Sequence, residues 1–253
     1  METHQFNNRG TTAAEQPLLR VSGVVAGYGR GRVLHGVDLD IAPGETVGLL
    51  GRNGSGRSTL LKAIMRLVRG EGHIFMDGRE IGHAMTHEVS RSGIGYVPED
   101  RGIFADLTVR ENLSVGIPPH ARTEATCGPA WSEEEFFEMF PNLKRRANVA
   151  GGSLSGGEQQ MLAICRALVG RPRLILVDEP TEGLSLAMVR QIAELLAAAA
   201  RRGIAILLVE QKLTIALDLC DRVAVMGHGR VVFDGTLSAF NAHPTVRSDW
   251  LEV

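Results

Sequence analysis

The sequence predicts one α/β domain: a mixed, largely parallel sheet with flanking helices, an antiparallel β-subdomain and an inserted α-helical subdomain. Three observations lead there. Almost wholly apolar runs such as Leu174 to Val177 and Ile204 to Val209 alternate with helical periods, the pattern of parallel strands covered on both faces. A glycine-rich turn, Gly51 to Gly56, joins a strand to a helix. Helix-capping pairs cluster between Thr108 and Gly170, which marks a mostly helical stretch inside the α/β alternation.

In chain order, residues 1–17 (METHQFNNRGTTAAEQP) lack an apolar stretch and read as a polar, disordered leader. From Leu18 to Ile41 the pattern alternates, with Val37, Leu39 and Ile41 apolar against Asp38 and Asp40, as in half-buried antiparallel strands that stop at Pro43-Gly44. Thr46 to Leu50 follows as a strand. A helix is expected from Ser58 to Val68, because Leu60, Leu61, Ile64, Leu67 and Val68 recur at helical spacing. His73 to Val97 reads as short strands with a turn at Asp77-Gly78 and a short helix near Met85 to Ser90. The helical subdomain, about residues 106–170, is marked by Thr108-x-x-Glu111, Ser132-x-x-Glu135 and Ser155-x-x-Glu158, and ends at Gly170 and Pro172. A long helix from Leu186 to Arg202 then separates the two apolar strands.

Composition narrows the function. With 44% hydrophobic residues the chain can bury a sizeable core. The 27 basic and 29 acidic side chains are interspersed and nearly cancel, so nothing draws the chain to nucleic acid. Cys127, Cys165 and Cys220 are odd in number and lack a C-x-x-C spacing, which argues against a disulfide framework or zinc site and fits a reducing cytoplasm. No apolar run approaches the about 18 to 20 residues that span a bilayer, so a membrane role has to pass through a partner.

The turn Gly51-Arg52-Asn53-Gly54-Ser55-Gly56-Arg57-Ser58-Thr59 fits the phosphate-binding P-loop G-x-x-x-x-G-K-[ST] except at the lysine. Glycines there let successive main-chain N–H groups face one concavity, and the helix N-terminus adds a positive dipole, so the backbone itself holds polyphosphate. Ser58 is expected on Mg²⁺. Arg57 keeps the lysine's charge on a wider, planar group. Downstream, Leu174 to Val177 delivers Asp178 and Glu179 at the C-terminal end of a strand, where open α/β sheets bind ligands. Asp178 is suited to Mg²⁺ through water and Glu179 to orienting or deprotonating an attacking water.

A third motif, Leu154-Ser155-Gly156-Gly157-Glu158-Gln159-Gln160, closely resembles the signature of ATP-binding cassette (ABC) ATPases. The resemblance spans nearly all of residues 18–253. It implies a P-loop ABC ATPase that uses ATP and Mg²⁺, with Ser155, Gly156 and Gly157 closing over ATP held by the P-loop of a second subunit. It also implies adenine stacking on Tyr28, a Mg²⁺- and water-sensing role for Glu99, and a γ-phosphate contact from Gln211. Gln211 works by hydrogen bonding, since an amide does not titrate. Gly95-Tyr96-Val97-Pro98-Glu99, Leu208-Val209-Glu210-Gln211 and Thr181-Glu182-Gly183-Leu184 resemble the shorter ATPase subunit of branched-chain amino-acid importers, with urea- and amide-type importers close by. The implied partners are a second cassette, identical or not, transmembrane permease subunits and, indirectly, a solute-binding protein. The implied place is the cytoplasmic face of the inner membrane.

Some features keep competing readings. Arg57 also suits a nucleotide-gated subunit that hydrolyses slowly beside an active partner. A soluble ABC protein of translation or DNA maintenance would need a second cassette, a coiled-coil insertion or a basic surface, which this chain lacks. Ser185 stands where many ABC proteins have an Asp that acts across the dimer. His83 and His87 have helical i, i+4 spacing but no evident third ligand, so a solvated face is expected. Trp131 to Phe140 pairs an acidic with an apolar face, read as the core of the helical subdomain, with part of that surface available to a permease.

Overall fold

The computed structural model describes residues 6–7, 16–117, 127–211 and 213–251. Two sheets organise it. The first is antiparallel, in the order β3-β2-β5-β6, from β2 (Leu19–Tyr28), β3 (Gly31–Ile41), β5 (Gly70–Met76) and β6 (Arg79–Glu80). The second has seven strands in the order β1-β11-β10-β4-β9-β8-β7. Its parallel centre comprises β4 (Thr46–Gly51), β7 (Ile94–Val97), β8 (Leu174–Asp178), β9 (Ala205–Val209) and β10 (Arg222–Gly227). Beyond β10, β11 (Arg230–Thr236) runs antiparallel to it, and the two-residue β1 (Phe6–Asn7) forms the edge.

The central strands β8 and β9 are buried on both faces, as their near-continuous apolar sequence requires. Ile175 and Val177 point into a core with the helical elements, while Leu174 and Leu176 point into a second core shared with the antiparallel sheet and α1 (Arg57–Ile64). The sheet therefore separates two hydrophobic layers, and its C-terminal strand ends are left to carry the site.

Several details differ from the sequence reading. The helix after the glycine-rich turn stops at Ile64 rather than Val68: Arg66 takes a left-handed φ of 59°, and Leu67 turns outward, half exposed. The leader, read as disordered, contributes β1 (Phe6–Asn7), which pairs in parallel with the open edge of β11; an unpaired strand edge is a ready template for any nearby segment. Residues 1–5 and 8–15 lie outside the described residues. His83 precedes α2 (Thr86–Arg91), so His83 and His87 do not share a helix.

The helical stretch contains α3 (Val109–Gly116), α4 (Glu133–Met139), α5 (Pro141–Arg145) and α6 (Gly156–Val169). All three expected capping boxes form, on Thr108, Ser132 and Ser155. The Trp131–Phe140 stretch holds α4, Pro141 opens α5 directly after it, and Trp131, Phe136, Phe137 and Phe140 are core. Beyond β8 come α7 (Leu186–Arg201), capped by Ser185, then α8 (Leu213–Leu219), α9 (Leu237–Ala242) and α10 (Pro244–Trp250). No helix among the described residues is long and apolar enough to cross a membrane.

Candidate functional site

The site grows from the ends of β4, β8 and β9, which lie side by side. At the end of β4 the chain turns at Gly51, whose φ of 152° and surroundings exclude a side chain: a Cβ there would lie 2.5 Å from the Met226 carbonyl and 2.6 Å from Ser55 Oγ. Gly56, at a left-handed φ of 105°, caps α1. The turn between β10 and β11 braces the loop from behind, with Gly229 N–H donating to the Ser55 carbonyl at 3.1 Å. These contacts hold residues 53–59 around a cavity of about 450 Å³ that Glu99, Glu179, Glu182 and Gln211 also line. That size lies within the about 300–1,000 Å³ of small-molecule sites.

Arg57 is only 4% exposed. Its guanidinium donates to the Glu210 carbonyl at 3.0 Å, to Asn53 Oδ1 at 3.2 Å and to Glu179 Oε1 at 2.9 Å. Glu179 accepts a second bond at Oε2, from Gln211 Nε2 at 2.6 Å. Both carboxylate oxygens thus have protein partners in this arrangement. Glu179 itself has a left-handed φ of 46°, uncommon for a side chain of its size, and is anchored by its N–H to the Val209 carbonyl at 3.0 Å. Burial raises its pKa above the usual carboxylate value, with Arg57 working against the rise.

One residue earlier, Asp178 is fully buried, and its Oδ1 accepts from Ser58 Oγ at 2.9 Å. Burial raises its pKa as well, opposed by the Ser58 bond. Its Oδ2 is buried with no hydrogen-bond partner, a costly arrangement for a lone carboxylate oxygen. An unfilled carboxylate acceptor beside the hydroxyl of Ser58, in the first turn of α1 after the glycine-rich loop, fits the oxygen donor set that Mg²⁺ takes. Carboxylate oxygens of Glu99, Glu179 and Glu182 also lie within 4.8 Å of one another, the one such cluster among the described residues.

Other expected residues stand apart from this cavity. Tyr28 is 53% exposed at the β2–β3 turn, whose next strand contributes Val33 to the cavity wall. Ser155, Gly156 and Gly157 open α6, where Ser155 Oγ accepts from Glu158 N–H at 3.4 Å. The glycine pair also has a packing reason, which sequence alone does not reveal. A Cβ at 157 would lie 2.6 Å from Met188 Cγ on α7, and one at 156 would press on the Arg101 guanidinium.

With this geometry in view, the profile of the ABC transporter family matches residues 34–182, more than half of the chain. The chain belongs to the ABC transporter family. Among curated ABC proteins it is similar to the high-affinity branched-chain amino acid transport ATP-binding protein BraG of Pseudomonas aeruginosa, 39% identical across 88% of this chain and 95% of that one. It is also similar to the lipopolysaccharide export system ATP-binding protein LptB of Haemophilus influenzae, at 33% identity over 87% and 90% of the two chains. A nucleotide-free ABC cassette superposes with a TM-score of 0.77 at 25% identity, over 91% of this chain and 96% of that one. The dimeric post-hydrolysis cassette MJ0796 with ADP and Pi superposes at 0.72 with 28% identity, over 87% and 98%.

As an ABC ATPase the protein binds and hydrolyses ATP, and the glycine-rich loop and Glu179 line one cavity, with Asp178 buried beneath it on the Ser58 hydroxyl. Two acidic residues at this site were not singled out from sequence. Glu182 reaches the site only because the chain folds back after β8, and Glu210 is buried behind it. The Thr181-Glu182 and Glu210-Gln211 pairs were visible as motif, but their burial and mutual contact were not.

Proposed function

We propose that this ABC ATPase powers an importer of branched-chain or related amino acids, as one of two cassettes that close around ATP and move a transmembrane permease. The observation that carries the chemistry is the meeting of the P-loop, Glu179 and Gln211 at one cavity, with Asp178 bonded to the loop's Ser58 from below. For the cargo, support comes from the likeness to BraG together with Glu99 and Gln211 in their motifs. The likeness to LptB makes lipopolysaccharide export the competing cargo, and urea- or amide-type import remains the near alternative.

In this reading the main chain of Gly51 to Gly56, with Asn53, Ser55 and Thr59, and the Arg57 guanidinium hold the phosphates. Ser58 and Asp178, with Glu99 nearby, hold Mg²⁺. That ion supplies charge neutralisation on the phosphate oxygens. Arrival of the phosphates draws Arg57 off Glu179, so one carboxylate oxygen becomes available to orient and accept a proton from the attacking water. Gln211 keeps the other oxygen fixed and donates toward the γ-phosphate. Tyr28 stacks on adenine, and Ser155, Gly156 and Gly157 of the second cassette complete the phosphate shell. The assembly sits on the cytoplasmic face of the inner membrane, with a solute-binding protein on the far side and no nucleic acid involved.

The deciding experiment is Mg²⁺-dependent phosphate release by wild type and Glu179→Gln at saturating ATP, followed by leucine uptake in vesicles holding the permease. Turnover that the Gln variant loses supports the chemistry. Uptake of leucine supports the cargo, and its failure with retained turnover moves the cargo elsewhere. The Arg57–Glu179 ion pair favours a second reading, a nucleotide-gated subunit whose base is restrained. Arg57→Lys separates the two: a turnover gain of about tenfold in the full complex would favour gating, and a change within about threefold the first reading.

A further inference from the structure

The reading above leaves one buried carboxylate at the site without a role. Glu210 follows β9, is 2% exposed, and meets three different parts of the machinery. Its carbonyl accepts from Arg57 Nη1 at 3.0 Å. Its Oε1 accepts from the hydroxyl of Thr181, itself buried in the loop after β8, at 2.8 Å. Its Oε2 accepts from the main-chain N–H of Gln211 at 3.2 Å. Gln211 is exposed, and its side chain reaches across to Glu179.

An apolar side chain would fill this position without the desolvation that a carboxylate incurs. What an apolar residue cannot do is fix two donors from separate loops at once. Gln211 begins the connection to α8 and its own side chain is solvent-facing, so its reach toward Glu179 depends on where its main chain is held. We propose that Glu210 is a positioning residue for ATP hydrolysis: by accepting from Thr181 and from the Gln211 N–H, it fixes the Gln211 amide against Glu179 and ties the loop after β8 to that setting. This deepens the ATPase reading and rests on it.

The geometry separates two substitutions. Glu210→Gln keeps both bonds, because its amide oxygen accepts from the Gln211 N–H while its NH₂ donates to a rotated Thr181 hydroxyl. Glu210→Ala removes both acceptors. In the full-length protein, Glu210→Ala is expected to lower kcat about tenfold while KM for ATP stays within about threefold, and Glu210→Gln to recover most of it. Adding Gln211→Ala to Glu210→Ala is expected to cost no more than Gln211→Ala alone, because one residue acts through the other. In nucleotide-free protein, Glu210→Ala is expected to speed amide hydrogen exchange in the segments 179–185 and 209–211, with the rest unchanged.

Additive losses with Gln211→Ala, a Gln variant as impaired as Ala, or unchanged exchange in both segments would each overturn the proposal. Should Glu210→Ala not fold, Thr181→Val removes one of the two bonds and carries the same expectations at smaller size. Should wild type release no phosphate, the ATPase reading fails first, and the exchange measurement alone decides whether Glu210 positions Gln211.

Discussion

Arg57 and Arg222 are both guanidiniums enclosed by the large sheet and both paired with carboxylates, yet their surroundings differ in kind. Arg222, at the start of β10, donates through Nε and Nη2 to the Glu45 carboxylate at 2.7 and 3.2 Å, through Nη1 to Asp234, and through Nη2 to the Asp40 carbonyl at 2.5 Å. It joins β10 to β11, to β3 and to the turn before β4, and its charge is met by two acids. Arg57 has one acid, Glu179, one amide and one carbonyl, and it faces a cavity. Burial alone does not separate them, for Arg57 is the more buried of the two, 4% against 15%. The separation lies in whether the partner set is complete: a closed set holds the fold, and an open one is available to an incoming anion.

The largest expected effect tests that division directly. Arg222→Met leaves Glu45 and Asp234 without their shared cation, and breaking a buried pair in this way typically costs about 3–5 kcal/mol. Urea denaturation should show that loss, with ATP affinity unchanged in the folded fraction. Arg57→Met should do the reverse: stability within about 1 kcal/mol of wild type, because the cavity lets water reach Glu179, and ATP affinity down at least about tenfold. Equal destabilisation by the two substitutions would break the comparison.

A smaller effect sharpens it. Asp178 has a folded pKa raised by burial, so between its unfolded and folded values the native state binds the extra proton. The sign follows: this carboxyl favours folding below its unfolded pKa, and that contribution is lost as pH rises through the folded pKa. Without Mg²⁺ or nucleotide, Asp178→Asn should therefore raise stability at neutral pH by about 1 kcal/mol, keeping the bond from Ser58, and the gain should vanish in acid. Thermal melts at both pH values measure it. A variant less stable than wild type at neutral pH would mean that the orphaned Oδ2 is not under strain.

Much of this was legible because local chemistry decides it. The strand ending at Asp178, the glycines before α1 and the three capping boxes each follow from residues within a few positions of one another. What escaped depends on contacts between distant segments. The packing demand on Gly157 is invisible until Met188 is seen against it, and Glu210 looks like a motif neighbour of Gln211 until its bond from Thr181 is seen. The helix after the glycine-rich turn stops at Ile64 although Leu67 keeps the apolar rhythm, because Arg66 turns the chain. The hairpin of β10 and β11 had a local signal, the apolar run Val223 to Met226 before His228-Gly229, and Arg222 at its start was the residue whose importance only the fold reveals.

The smallest effect belongs to a third arginine, Arg173, which bonds Asp77 at 2.8 Å and links the antiparallel sheet to the start of β8. Here the acid is 56% exposed, so water and salt screen the pair. The Arg173 bond holds the Asp77 pKa below its ordinary value. A depressed carboxyl contributes stability above its unfolded pKa and loses it as pH falls through the folded one, the opposite sign to Asp178. Asp77→Asn should thus cost less than about 0.5 kcal/mol at neutral pH and low salt, and nothing measurable in acid or at high salt. Urea midpoints across those conditions provide the measure. A loss approaching that of Arg222→Met would mean that position between two lobes, rather than a complete and buried partner set, decides what an arginine contributes to this fold.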